Sequence, residues 1–283
     1  MRILNKIKNC FSFLTRFPIR GKVDIQEDIA PYIWLFPFVG FVLGLISSII
    51  SLILFSILPS LIVGFIVLGL LLLMTGIHHT DGLIDFGDGL MASGPPERKK
   101  EVMHESTIGA GGFTLGFIIL ILTGITISYS MNIILISLML SEIGAKFNMV
   151  VACSIGKSAK TRMADLFIQK NMKKHMFLSL ILSIILIYFT LLIRTYYILL
   201  YHDILIFKFT FIPINGISPW NLLQSILIFT IFVIGTLLSL IIVLILSYQN
   251  FGGLTGDCLG ALNEITRLFI LILLLIFHSL RFI

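Results

Sequence analysis

Asp81, Asp85 and Asp88 stand at i, i+4 and i+7, and His78 lies three residues ahead of the first. In a helix this spacing puts the three carboxylates on one face, with His78 one turn before them. Three like charges so placed repel one another unless a cation or a basic partner neutralises them. Oxygen-only ligation of this kind suits Mg²⁺, which takes a few carboxylates and completes its shell with substrate phosphates. Glycines at 76, 82, 87 and 89 run through the same stretch. They are poor helix formers, but they let backbone or ligand approach closely, or they break the helix into turns. The stretch therefore reads as a metal–phosphate site. A solvated acidic loop and a cation-coupled transport site are the competing readings.

Two further stretches combine glycines with acids. From 101 to 112, Glu101 and Glu105 sit one helical turn apart, ahead of the run Gly109-Ala110-Gly111-Gly112. Backbone amides at such an entry to a helix can hold phosphate oxygens. The alternative is an N-cap by Ser106 or Thr107, with glycines for tight helix packing. From Gly252 to Glu264, Asp257 and Glu264 are seven apart and share a face if helical, with Asn263 and Arg267 nearby. Together the patches point to a composite site built from several helix ends, with Asp257 as a further metal ligand. Other motifs carry little. Gly156-Lys157-Ser158 resembles the end of a phosphate-binding loop, but Val151 stands where its leading glycine is required. His78-His79 lacks the spacing of a zinc protease, and Cys10, Cys153 and Cys258 form no metal or disulfide pattern.

The elements that must position these residues follow from composition. The chain has 283 residues, 58% hydrophobic and 12% charged, against about 25% charged in soluble domains, and its mean hydropathy is +1.08. That excludes a soluble globular protein, a disordered chain and a nucleic-acid binder. The expected fold is all-α, a polytopic integral membrane protein with about seven spans at 33–58, 61–76, 112–130, 133–153, 177–201, 222–247 and 268–282. The second span is short and either continues past Thr75 or ends as a broken segment, and Pro37 marks a kink or the true start of the first. Residues 31–283 form one helical membrane domain. Residues 1–30 precede it as an arm, with Leu4, Ile7, Phe11, Leu14 and Phe17 spaced for an amphipathic helix at the lipid surface.

Charge sets the orientation. Fifteen of the 20 Lys and Arg residues fall in three segments: 1–22, 98–100 and 157–174. Span parity places all three on one side, which the positive-inside rule makes cytoplasmic, so the motif loops face the cytoplasm of a multi-pass cell-membrane protein. The 154–175 loop reads as an anchor to anionic lipid or as a funnel for a polyphosphate, using Lys157, Lys160 and Arg162. Glu142 and Lys146 lie within a span, where charge is costly and faces protein or water. At i, i+4 they pair with each other, or Lys146 reaches the cytoplasmic site.

These pieces, taken in order, resemble the cobalamin synthase family, the adenosylcobinamide-GDP ribazoletransferases. The family's GGLHxDGLADxxDG stretch is matched by GIHHTDGLIDFGDG at 76–89, its MxxSxIGxxG stretch by Met103, Ser106, Ile108, Gly109 and Gly112, and its GGxTGDxxGAxxE stretch by Gly252 to Glu264. Phe13-Leu14-Thr15-Arg16-Phe17-Pro18 and the pair Pro37 and Gly40 are further family features. Departures are Thr75 and Ile77 in the first motif, Lys146 at a usual arginine and Arg267 at an often acidic position. The resemblance implies a Mg²⁺-dependent membrane enzyme. It would join adenosylcobinamide-GDP to α-ribazole or its 5′-phosphate, releasing GMP and leaving adenosylcobalamin or its 5′-phosphate. The residues suit that chemistry: Asp81, Asp85 and Asp88 are expected to hold the metal, with a further ion between them and Asp257, and Asp81, Asp85, Asp88 and His78 are the expected catalytic groups, the base being His78 or an unliganded aspartate, with His79 and His104 as weaker choices. Lys146, Ser106, Gly109, Thr255, Asn263 and Glu264 are the expected substrate contacts. The partners are then the two substrates and membrane lipids, with no nucleic acid, while assembly as a homo-oligomer stays open. A cation-coupled transporter is the alternative, although it should carry its charges at mid-membrane and show inverted repeats.

Overall fold

The computed structural model describes residues 3–17, 24–105, 107–160, 162–170, 173–206, 219–280 and 282. Eleven α-helices are formed by these residues: α1 (Ile3–Leu14), α2 (Phe36–Phe55), α3 (Ser60–Thr75), α4 (His78–Met91), α5 (Pro96–Met103), α6 (Ala110–Tyr129), α7 (Ile134–Ile155), α8 (Arg162–Lys170), α9 (Lys173–Ile206), α10 (Pro219–Phe251) and α11 (Gly256–Ser279). Among the described residues there is no β-strand, only an isolated bridge between Ser158 and Leu254. The all-α membrane architecture expected from composition is therefore present.

Six helical segments are long and apolar enough to cross a membrane: Ile25–Phe55, Ala110–Tyr129, Met131–Ile155, Lys173–Tyr197, Leu223–Phe251 and Gly256–Ser279. The first opens with irregular turns at 25–35, and Pro37 sits in the first turn of α2, so it marks a start and not a kink. The second expected span is the broken one. α3 and α4 are bent by 96° at Gly76 and Ile77, which take φ of +70° and +67°. Gly76 adopts that left-handed conformation freely, whereas Ile77 is β-branched and strained there. The backbone N–H of Arg16, ahead of the first span, donates to the Met74 carbonyl at the end of α3 (2.8 Å). The α2–α3 hairpin thus returns the chain to the end from which it started. α3 makes this return crossing, and α4 then turns away from it across the bundle end.

α7 is the central helix, buried along the whole of its most apolar stretch. It packs against α2, α9 and α11. Close approach to α2 comes from small residues at four-residue spacing, Gly40, Gly44 and Ser48. A Cβ on Gly44 would lie 2.6 Å from the Met139 Cα. The outer helices turn apolar side chains outward, among them Phe65 and Ile66 on α3, Phe117 on α6, Ile184 on α9 and Ile241 on α10. An outward apolar face is what a lipid-surrounded bundle requires.

The last crossing begins twelve residues before its expected start at 268, because α11 starts at Gly256. Charged residues at 257, 264 and 267 depress the hydropathy there, yet Thr255 caps the helix and Arg267 pairs with Glu264 inside it. From Gly256 to Glu264 the third Gly-acid stretch is therefore the opening turns of a membrane helix and not a flanking loop. α1 covers most of the arm's spaced apolar residues. Cys10 and Leu14 are buried and Leu4 is exposed, but the helix ends at Leu14, before Phe17.

Candidate active site

α4 crosses the N-terminal turns of α6 and α11, and glycines at both crossings set the distance. A Cβ on Gly82 would lie 3.0 Å from the Asp257 Cα, and one on Gly260 3.0 Å from the His79 carbonyl oxygen. On the α6 side, a Cβ on Gly87 would stand 2.9 Å from the Gly112 Cα. Nine in ten real Cβ contacts are longer than 3.4 Å, so any side chain here would push the helices apart. The first and third Gly-acid stretches are thereby locked face to face, which brings Asp257 beside the acids of α4.

The three aspartates do share a helix, but they divide in role. Asp88 is buried, and its carboxylate accepts the N–H groups of Gly109 (2.8 Å) and Gly112 (2.7 Å). Both amides are orphan donors at the start of α6, where a carboxylate is favoured by the helix dipole. The junction amides that suited a phosphate are thus held by the protein itself. Gly109, not Thr107, is the N-cap residue of α6, and Asp88 supplies the oxygens that the first amides of the helix meet. Asp81 and Asp85 instead line a polar cavity of about 320 Å³, together with His104, Glu105 and Thr107. Burial, followed by the charges of Asp257, Asp81 and Asp88, pushes the Asp85 carboxyl up to about 7.

Asp81 also lines a second cavity of about 370 Å³, together with His78, Asp257 and the aromatic rings of Phe13, Phe36 and Phe167. His79, largely buried, is also part of its lining, and its Nε2 has no hydrogen-bond partner among the described residues. Burial, then the cations Lys146 and Arg267, hold the His79 imidazole well below its ordinary pKa. A neutral imidazole that resists protonation is a poor base, because an effective base titrates near the working pH. His78 is exposed at the start of α4, so of the two it is the one able to exchange a proton.

Whether the acidic wall fits a divalent cation is a question of donors. Among the described residues no three His, Cys, Asp or Glu side chains converge closely enough to hold a metal. Mg²⁺ does not need such a cage, since it binds through one or two carboxylates and fills its shell with waters and phosphate oxygens. Asp81 and Asp85 on one cavity wall, with Asp257 close enough to raise the Asp85 pKa, supply that donor chemistry.

The expected substrate contacts separate. Thr255 caps α11, accepting the Cys258 N–H (3.2 Å) and lying 3.4 Å from Asp257 Oδ2, so its hydroxyl orients the Asp257 turn. Gly109 gives its N–H to Asp88. Ser106 lies outside the described residues. Lys146, Asn263 and Glu264 belong to a buried ionic network between α7 and α11. Lys146 donates to Glu142 (2.9 Å), Arg267 bridges Glu142 and Glu264, and Asn263 donates to Glu264 (3.0 Å). Two acids and two bases leave it neutral, which burial demands. Arg267 was visible as a departure from the family pattern, and its partner Glu142 as a charge inside a span. Their pairing across 125 residues was not.

On the same end, the Ala159 N–H donates to the Leu254 carbonyl (2.9 Å) and the Leu254 N–H to the Lys157 carbonyl (2.8 Å). Lys157 and Lys160 are exposed beside the start of α11. The basic loop is thus tied to the site whichever of its two readings holds. The Phe36 and Phe167 rings escaped sequence reasoning, because isolated phenylalanines in apolar segments carry no pattern.

The sequence profile of the cobalamin-5-phosphate synthase family matches residues 6–275. A curated adenosylcobinamide-GDP ribazoletransferase of Methanocella arvoryzae is 32% identical over 269 residues, covering 94% of this chain and 93% of its own length. One from Pyrococcus furiosus is 31% identical, covering 92% and 95%. One from Methanococcoides burtonii is 26% identical, covering 95% and 90%. No solved structure matches the chain.

Proposed function

The chain belongs to the cobalamin-5-phosphate synthase family, and on that footing we propose that it joins adenosylcobinamide-GDP to α-ribazole or its 5′-phosphate. The nucleoside hydroxyl attacks the cobinamide-bearing phosphorus of the diphosphate. A new O–P bond forms, the O–P bond to GMP breaks, and GMP leaves with the electron pair. The observation that supports this reading is the wall shared by Asp81 and Asp85 at a polar cavity, with Asp257 beside it. Both substrates are anionic in their phosphorylated forms, and bare carboxylates would repel them.

Mg²⁺ held by Asp81 and Asp85, with Asp257 adjacent, would neutralise the diphosphate and stabilise charge on the transferring and leaving oxygens. Asp88 serves the site by fixing its frame: its two bonds, to the Gly109 and Gly112 amides, hold the start of α6 against α4. Thr255 holds Asp257 in its turn. His78, exposed at the edge of the same carboxylates, takes the hydroxyl proton. Described residues of the three basic segments lie at this end, where Lys100 donates to the Ala159 carbonyl and the Arg16 N–H to the Met74 carbonyl, and the positive-inside rule supports reading it as the cytoplasmic face of a cell membrane.

The test is product formation by purified protein in detergent with the two substrates. Mg²⁺ should give the corrinoid nucleotide and stoichiometric GMP, and EDTA should stop both. Asp85→Asn should lower turnover by a factor of about 10²–10³, the scale on which removing one group that stabilises developing charge acts. Full activity in EDTA, or in Asp85→Asn, would remove the proposed site. A cation-coupled transporter is disfavoured by the mid-span charges, since Glu142, Lys146 and Arg267 are wholly buried and paired with one another.

A further inference from the structure

Two arginines stand inside crossing helices, Arg194 and Arg267, and their company differs. Arg267 is paired with Glu142 and Glu264. Arg194, on α9, is half-buried and makes no ion pair or hydrogen bond through its side chain among the described residues. It lines a cavity of about 60 Å³ with Leu52, residues 131–136 and Tyr197. The end of α2, the start of α7 and the later turns of α9 form this cavity. It therefore lies at the end of the bundle opposite the aspartates.

Its depth in the membrane follows from helix geometry. Arg194 is 21 residues beyond Lys173, the first residue of α9, a rise of about 32 Å. A hydrocarbon core is about 30 Å thick, so Arg194 stands at the far boundary, where lipid phosphates lie. A charge in a span is costly and pairs with a partner or faces water. The chain offers no acid for the purpose. Of its 14 acidic residues, Asp203 alone falls in the segments of this end, and it is nine residues further along α9, about 13 Å up the axis.

We propose that this cavity seats the phosphate of a membrane phospholipid on the Arg194 guanidinium. A guanidinium matches a phosphate with two parallel N–H donors. Asn132, in the same lining, carries an amide that can donate as well. A volume of 60 Å³ admits one small polar group, against about 300–1,000 Å³ for pockets that enclose a drug-sized molecule. The acyl chains therefore stay outside, where Ile53 on α2, Met131 before α7 and Tyr196 on α9 expose apolar and aromatic surface. A free phosphate ion shares the headgroup's chemistry, but the depth of the site and this apolar border favour the lipid. The site is independent of the transfer chemistry at the other end.

The experiment uses the full chain, delipidated in detergent. Native mass spectrometry counts bound dioleoylphosphatidylglycerol and gives its apparent Kd, and thermal unfolding records protection. Wild type should bind this lipid saturably and melt higher with it. Loss of hydrogen bonding to a charged group sets the scale, so Arg194→Gln should weaken binding between about 10-fold and 150-fold. Arg194→Lys keeps the charge without the paired donors and should fall between the two, which also provides a readout if the glutamine variant folds poorly. Without lipid, Arg194→Gln should melt within about 2 °C of wild type, so that a lost ligand is separated from a lost fold. Dioleoylglycerol, which lacks the phosphate, should not protect. Equal phosphatidylglycerol binding by wild type, Arg194→Lys and Arg194→Gln overturns the proposal. So does equal protection by dioleoylglycerol, or uptake that does not saturate, which an arginine that only snorkels to the interface would give. Protection by millimolar inorganic phosphate as strong as by the lipid assigns the cavity to a free anion and overturns the lipid as its occupant.

Discussion

Asp88→Asn should behave as a packing mutation first and a catalytic one second. The carboxylate offers one oxygen to Gly109 N–H and the other to Gly112 N–H, at 2.8 and 2.7 Å. An asparagine keeps one acceptor and turns an NH₂ group towards the second amide, donor against donor. One hydrogen bond to a charged group is lost, typically about 1.5–3 kcal/mol, and the other is weakened to a neutral one. The α6 dipole also loses the negative charge at its start, roughly another 0.5 kcal/mol. The total is about 2–4 kcal/mol, or a fall in melting temperature on the order of 5–10 °C for a chain of this size. Asp81 provides the contrast, because it is exposed and its replacement by asparagine should leave the melting temperature within about 2 °C while turnover is lost. Thermal unfolding in detergent, followed by tryptophan fluorescence, measures both variants alongside product formation. If Asp88→Asn melts with the wild type and loses turnover as Asp81→Asn does, Asp88 is part of the chemistry and its role as an anchor for α6 is refuted.

Asp85 gives a pH signature in the absence of divalent cation. Its carboxyl titrates near 7 in the fold against an ordinary 3.8, so folding disfavours the charged form, and stability present below about pH 4 is lost as pH rises to about 7. The group is half exposed, so screening leaves about 1–2 kcal/mol of the effect. In EDTA, wild type should melt lower at pH 8 than at pH 5 and Asp85→Asn should flatten the difference; parallel curves for the two proteins would contradict the assignment. In the buried network, Glu142→Gln leaves Lys146 and Arg267 facing a single carboxylate, and breaking a buried pair in this way costs about 3–5 kcal/mol. Glu142→Gln combined with Lys146→Met restores neutrality and should recover at least half of the lost stability, measured as folded yield and melting temperature; additive losses would show that neutrality is not what holds α7 to α11.

The helical phase of Asp81, Asp85 and Asp88 was legible because it is local: four- and seven-residue spacings fix a face without any tertiary information. The separate fate of Asp88 was not, since it depends on amides 21 and 24 residues away. The same limit explains α11. Hydropathy counts Asp257, Glu264 and Arg267 as polar one by one, and it cannot know that Arg267 is neutralised by Glu142 on another helix. The break between α3 and α4 was legible only as a choice between continuation and interruption, because Ile77 in a left-handed conformation has no sequence signature.

The glycines are where local and distant requirements coincide, and they explain why the acids could be located at all. Asp81 precedes Gly82, which packs on Asp257 and Gly260. Asp88 follows Gly87, which packs on Gly111 and Gly112. Asp257 follows Gly256, and Gly260 one turn later packs on His79 and Gly82. A carboxylate can stand over a helix crossing only if the backbone beside it lets the partner helix come near. Asp81, Asp88 and Asp257 therefore each carry a neighbouring glycine for reasons of packing, whereas Asp85 stands between Ile84 and Phe86; the pairing looks like a ligand motif in the sequence because the crossing and the charge cluster share one place. The aromatic lining of the 370 Å³ cavity has no such coupling. Phe13, Phe36 and Phe167 need only volume and a flat face, which many apolar neighbours in a membrane helix would also satisfy in sequence, so this lining becomes visible only when α1, α2 and α8 are seen together.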